Sequence, residues 1–217
     1  MKKFLSALIA IMWISTTFAQ TDESARKLLN DVSKKYSGYN TIQSDFTLNI
    51  HDASQKSHGQ KGVMYFNKPA NQYAIHLAEQ QIFSDGKSVW NIASDVKEIQ
   101  VSPADHNDNT IGPNNLFSFY QKGYTYVTMQ DESFKKDGKN ESLRVVELSP
   151  IDKSTNYFKI KIRVNKNNHI HDVTIFDKSS NRFTYTIHSL FVNKKLPSTL
   201  FTLDKAKFKG YEIVDLR

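Results

Sequence analysis

Residues 158–164 read FKIKIRV, and this short run decides the fold. Phe158, Ile160, Ile162 and Val164 share one parity, while Lys159, Lys161 and Arg163 share the other. A period of two is the period of a β-strand, and its amphipathic form sets one face on a core and one in water. Parallel sheets are buried on both faces, so the pattern predicts an antiparallel sheet.

Polar clusters at 165–168 and 178–181 read as hairpin turns leading to strands Ile170–Phe176 and Phe183–His188. Upstream, Ile42, Phe46, Leu48 and Ile50 fall on one face with Thr47 and Asn49 opposite, and Tyr73, Ile75 and Leu77 repeat the rhythm. In IFSDGKSVWNI, residues 82–92, Asp85-Gly86 suits a tight turn because glycine tolerates positive φ. Val89, Trp90 and Ile92 then form the returning strand. No strand-to-helix transition follows this turn, which removes a phosphate-loop reading. No histidine or second acid lies beside it in sequence, so Asp85 and Lys87 read as turn chemistry.

Two segments depart from strand rhythm. From Asp22 to Tyr36, Ala25, Leu28, Leu29, Val32 and Tyr36 recur at helical spacing, with Asp22 as N-cap and Gly38 as stop. In GPNNLFSFYQKG, residues 112–123, Pro113 suits a first helical turn and Gly123 a stop. The short helix predicted there carries Leu116, Phe117, Phe119 and Tyr120. It is either a plug at one end of a barrel or a mobile lid over an apolar cavity.

Residues 1–19 read as a cleaved secretory signal: Lys2 and Lys3 precede an apolar run from Phe4 to Ile14, and Ala19 ends a small-residue site. The run is short for a membrane span. An uncleaved N-terminal membrane helix is the alternative. Residues 20–217 are then one domain, about 198 residues, large enough to bury roughly 70% of its unfolded surface. Loss of two lysines lowers the formal charge from +7 to +5. The cations are scattered along solvent faces, which disfavours nucleic acid as a partner. With no cysteine there are no disulfides, no thiolate chemistry and no lipid-modified N-terminal cysteine.

No catalytic constellation emerges. There is no Gly-x-Ser-x-Gly elbow, His-Glu-x-x-His motif or glycine-rich phosphate loop. His169 and His171 could share a strand face and hold a metal, but they follow a polar turn where solvated histidines are common. Residues 105–116 begin like a calcium loop, yet Thr110 stands where glycine is required and Leu116 where a bidentate glutamate is. Asp131-Glu132 reads as a solvated turn. The expectation is no catalytic residue, no metal and no cofactor. Against this stand fourteen Phe and ten Tyr in a chain of negative mean hydropathy, which is suggestive of a hydrophobic ligand cavity.

The ordered set Phe46, Gly62, Lys68-Pro69, Asp85-Gly86-Lys87 and Trp90, with the helix ARKLLNDVSKKY before it and KFKGYEIVDLR at the end, resembles the periplasmic outer-membrane lipoprotein carriers, the LolA-like family. The resemblance spans nearly the whole mature chain. It implies a mainly β (α+β) fold: a strongly curved, incomplete antiparallel β-barrel whose open mouth is covered by the N-terminal helix and a short helix. It implies a non-enzymatic, soluble periplasmic monomer of a Gram-negative-type cell. Such a carrier takes lipoproteins by their acyl chains from an inner-membrane lipoprotein-releasing ABC transporter to an outer-membrane acceptor. The lipid cavity expected from it is lined by Leu28, Leu29 and Val32 of the first helix, by Phe46, Leu48, Tyr65, Ile75, Leu77, Trp90 and Ile92 of the strands, and by Leu116, Phe117, Phe119 and Tyr120. Which parity of each strand faces inward is left open by the sequence. One branch of the family carries an arginine, linked to lid contacts and release, where this chain has Lys68, so Lys68 is the expected release switch. A lipid- or lipoprotein-binding sensor on the same scaffold is the alternative function, and a secreted hydrolase with an unrecognised site is a third.

Overall fold

The computed structural model describes residues 22–104, 111–136, 138–204 and 206–217. The predicted signal segment and the first half of the calcium-like loop, residues 105–110, lie outside the described residues. One α-helix, α1 (Glu23–Ser37), precedes a run of strands. These are β1 (Thr41–His51), β2 (Ser57–Asn67), β3 (Gln72–His76), β4 (Gln80–Ser84), β5 (Ser88–Ala93) and β6 (Glu98–Pro103). They continue with β7 (Tyr124–Lys136), β8 (Lys139–Pro150), β9 (Tyr157–Val164), β10 (Ile170–Asp177), β11 (Arg182–Ile187), β12 (Phe191–Val192) and β13 (Glu212–Asp215).

The strands form one sheet in the order β13-β6-β5-β4-β3-β2-β1-β11-β10-β9-β8-β7, with β12 pairing to β1. The two edges, β13 and β7, do not pair, and the strongly curved sheet stays open. Neighbours are antiparallel except β6 and β13, which run parallel. Turn chemistry sets the hairpins. Asn168 and Ser180 take positive φ at the two ends of β10, and Asp85 Oδ1 accepts from the N–H groups of Lys87 and Ser88, both at 2.8 Å, to close β4 onto β5.

The concave face holds the main core. Ile42, Phe46, Met64, Phe66, Ile75, Ile160, Ile162, Val164, Val173 and Tyr185 gather there with Leu28, Leu29 and Val32 of α1 and with Leu116, Phe117 and Tyr120. A second cluster lies on the convex side of β3–β6, where Ala74, Phe83, Ile92, Ile99 and Val101 are covered by the C-terminal segment through Leu196, Leu200, Phe201, Leu203, Phe208 and Tyr211. On the other half of the sheet, the convex face is ionic. Arg163 Nε reaches both Asp172 carboxylate oxygens, at 2.9 and 2.8 Å, and Glu132 bonds Arg163 and Lys161.

Four expectations are corrected. Residues 112–123 form turns and a single 3-10 helix, Phe119–Gln121, so the short helix expected there spans only part of the segment. Asn115 Oδ1 accepts from Gly112 N and Ser118 Oγ donates to Asn115 O; such local bonds compete with the helical ladder. Asp131 and Glu132 lie inside β7 at a register shift, not in a turn, because the long β7–β8 hairpin carries pairing past them. His169 and His171 do not share a face: His171 sits at a bulge between Ile170 and Asp172 and bonds Asp172, while His169 meets Tyr39. Phe158 is 53% exposed despite its inward parity, since it lies at the start of β9 beyond the concave cluster.

Candidate functional site

The concave face is closed by a lid made of α1 and residues 112–123. Helix α1 is apolar along one face, and its N-terminus is stitched to the edge strand β7. Asp22 Oδ1 caps Ser24 N at 2.8 Å, Asp22 Oδ2 accepts from Thr128 N at 2.9 Å, and Asp22 N donates to Tyr126 O at 3.0 Å. The bond from Thr128 leads in holding the Asp22 carboxyl below its ordinary range.

At the other end of α1, Lys68 Nζ donates to the carbonyls of Tyr36 at 2.7 Å and Ser37 at 3.2 Å. The Tyr36 carbonyl also accepts from Tyr39 N at 3.1 Å, and both carbonyls carry the negative end of the helix dipole. Burial pulls the Lys68 ammonium below its ordinary value. Lys68 starts the 3-10 turn Lys68–Ala70, and the β4–β5 turn braces that corner from behind. A Cβ on Gly86, which has φ +93°, would stand 2.7 Å from the Ala70 carbonyl oxygen. Asp85-Gly86-Lys87 therefore fixes the place from which Lys68 reaches the lid.

Inside the mouth, Tyr36 stacks on Phe117 with ring centroids 4.6 Å apart, and Phe117 meets Phe66 edge-on at 5.6 Å. Gln121 Nε2 donates to Ser33 Oγ at 2.9 Å, tying the two lid segments to each other. Beside them lies a cavity of about 310 Å³, floored by Tyr36, Ile42, Phe66, Tyr73 and Phe117 and rimmed by amides, hydroxyls and Lys68. Below the lid, Phe46 and Gly62 are opposite each other across β1 and β2. A Cβ on Gly62 would stand 2.8 Å from Phe46 Cε1, from Leu77 Cδ2 and from the His76 carbonyl oxygen. The missing side chain is what lets Phe46 and Leu77 converge on the concave side.

Eleven of the fourteen residues expected to line a cavity come together here. Leu28, Leu29, Val32, Phe46, Ile75, Leu116, Phe117 and Tyr120 are buried in the concave cluster, and Leu48, Leu77 and Phe119 pack against it. Tyr65, Trp90 and Ile92 do not join them. They lie on the convex side, where Trp90 stacks on Phe83 at 5.2 Å and Ile92 is fully buried. A sign of this was present in the sequence: Tyr73-Ala74-Ile75 and Ile82-Phe83 are apolar at consecutive positions, as strands covered on both faces are. Met64 and Phe66, alternating with Tyr65, were missed for want of the correct parity.

Physically, the arrangement is a trough of aliphatic and aromatic side chains filled by the chain's own lid. Among the described residues no group of three or more potential metal ligands is found, and no helix is long and apolar enough to cross a membrane.

The chain is similar to several solved structures of low sequence identity. An uncharacterized conserved protein from Thermus thermophilus is 10% identical, with 89% of this chain and 99% of that one covered at a TM-score of 0.55. A LolA superfamily protein from Nitrosomonas europaea is 15% identical, covering 83% and 98% at 0.45, and the Mycobacterium tuberculosis lipoprotein LppX is 10% identical, covering 82% and 99% at 0.46. No curated protein sequence matches the chain. The family model described as outer membrane lipoprotein carrier protein LolA matches residues 37–204, from the end of α1 to the segment that covers the convex face, and the chain belongs to that family.

Proposed function

We propose that the protein is a periplasmic carrier that takes up the acyl chains of lipoproteins in its concave face and shuttles them from the inner to the outer membrane. The observation that carries this reading is the lid. Its apolar side chains occupy the trough, yet it is fastened by a few polar contacts at its rim, led by the Lys68 bonds to the last carbonyls of α1. Each buried methylene of an acyl chain contributes about 0.8 kcal/mol. A lipid anchor of ordinary length therefore competes effectively with lid side chains for the same surface. Because lid and cargo exclude each other, closing the lid helps expel the cargo at delivery.

In this role the protein catalyses no reaction. It receives its cargo from an inner-membrane lipoprotein-releasing ABC transporter and yields it to an outer-membrane acceptor. The test is to add purified mature protein to spheroplasts bearing an outer-membrane-type lipoprotein. The expected result is a soluble, stoichiometric complex of carrier and lipoprotein. A lipoprotein that stays on the membrane in the presence of folded protein contradicts the reading.

A further inference from the structure

Tyr120 is 1% exposed, and its hydroxyl has no hydrogen-bond partner among the described residues. A buried, unpaired hydroxyl bears its full desolvation penalty, so such a group calls for an explanation. Much of the cluster that buries it is hydrocarbon. Leu28, Leu29, Val32, Leu116 and Phe117 of the same cluster have no polar side-chain atoms. The nearby phenols are engaged elsewhere: Tyr126 donates to the backbone carbonyl of Tyr120 at 3.0 Å, Tyr36 accepts from Ile170 N at 3.2 Å, and Tyr124 pairs with Tyr157 at 2.8 Å.

The carrier reading, on which this inference rests, identifies what is missing. An acyl chain is a hydrocarbon ending in a carbonyl, held as an ester or amide. When the hydrocarbon takes the place of the aliphatic lid side chains around Tyr120, that carbonyl leaves water and needs a donor. We propose that the Tyr120 hydroxyl is that donor, so that the site recognises the acyl carbonyl as well as the chain. Binding then satisfies two groups at once, the orphaned hydroxyl and the desolvated carbonyl, and favours acyl over plain alkyl cargo.

The experiment compares a fluorescent glycerolipid with two ester-linked chains and its di-ether analogue of equal chain length, on the wild-type protein and on Tyr120→Phe. The expected result is a wild-type preference for the ester of about fivefold to tenfold, the worth of one hydrogen bond in a dry site. Tyr120→Phe is expected to bind both lipids alike, at the affinity the wild type has for the ether, with a melting temperature equal to or above that of the wild type. Equal wild-type binding of ester and ether overturns the inference while leaving the carrier reading standing. A preference retained by Tyr120→Phe does the same. If the wild type binds neither lipid, the carrier reading fails and the inference with it.

Discussion

Lys68 is the residue through which the lid and the barrel rim communicate. A lysine has one ammonium where an arginine has a planar fork, yet Lys68 Nζ still reaches two carbonyls, those of Tyr36 and Ser37. The geometry is possible because Pro69 and the 3-10 turn fix the backbone, and because the β4–β5 turn meets Ala70 with nothing but a glycine hydrogen between them. Removing the ammonium while keeping the stem, as in Lys68→Met, takes this donor away from both carbonyls. The expected outcome is amide exchange in the last turn of α1 faster by about threefold to tenfold, the worth of one partly solvated hydrogen bond. Exchange in β9 to β11 should stay unchanged. Equal exchange throughout would show that Lys68 does not fasten the lid.

At the scale of elements, α1 is held at both ends and packed in the middle, and its two ends respond differently to pH. Just after the helix, the hydroxyl of Tyr39 meets Nε2 of His169 at 2.8 Å, and the Tyr36 ring lies edge-on to the same imidazole. Desolvation first, and the Lys35 charge second, hold His169 below its ordinary value of 6.5. The folded state therefore favours the neutral ring, and on acidification the unfolded chain takes up its proton first. Stability from this contact is in place above the unfolded value and is lost as pH falls through the lower folded value. Melting temperature should accordingly fall between pH 7.5 and pH 5, and His169→Gln should flatten part of that slope. His76, also depressed by burial, contributes in the same direction, so the slope does not vanish. A His169→Gln profile parallel to the wild type would remove His169 from the account. The Asp22 anchor has its own window, below its ordinary value of 3.8, because the bonds from Thr128 and Ser24 favour the ionised cap.

The molecule as a whole is a curved sheet with a lid on its concave side and a cover on part of its convex side. Much of the first layer was legible in the sequence. The alternation in 158–164 dictated an antiparallel sheet, Asp22 and Gly38 bracketed α1, and Asp85-Gly86 marked its turn, because each is a local signal with a local cause. The convex cover was not legible. Its residues, among them Leu200, Phe201 and Phe208, show no regular period, since a single 3-10 turn and loops carry them. Without that cover in view, Trp90 and Tyr65 looked like cavity walls. They are the floor on which the C-terminal segment rests. The lid residues 112–123 were read as an apolar short helix and are helical only over Phe119–Gln121, since burial followed from composition while the asparagine and serine bonds set the backbone. The unpaired Tyr120 hydroxyl lay beyond any sequence pattern, because an absent partner is a property of the packed interior.

The central claim is that lid and cargo occupy the same surface in turn. Hydrogen exchange of the full protein, free and saturated with a diacyl lipid, tests it most directly. The account predicts that lipid speeds exchange in α1 and in residues 115–121 while leaving β9, β10 and β11 protected as before. Bound lipid that leaves the lid amides unchanged, or slows them, would contradict it.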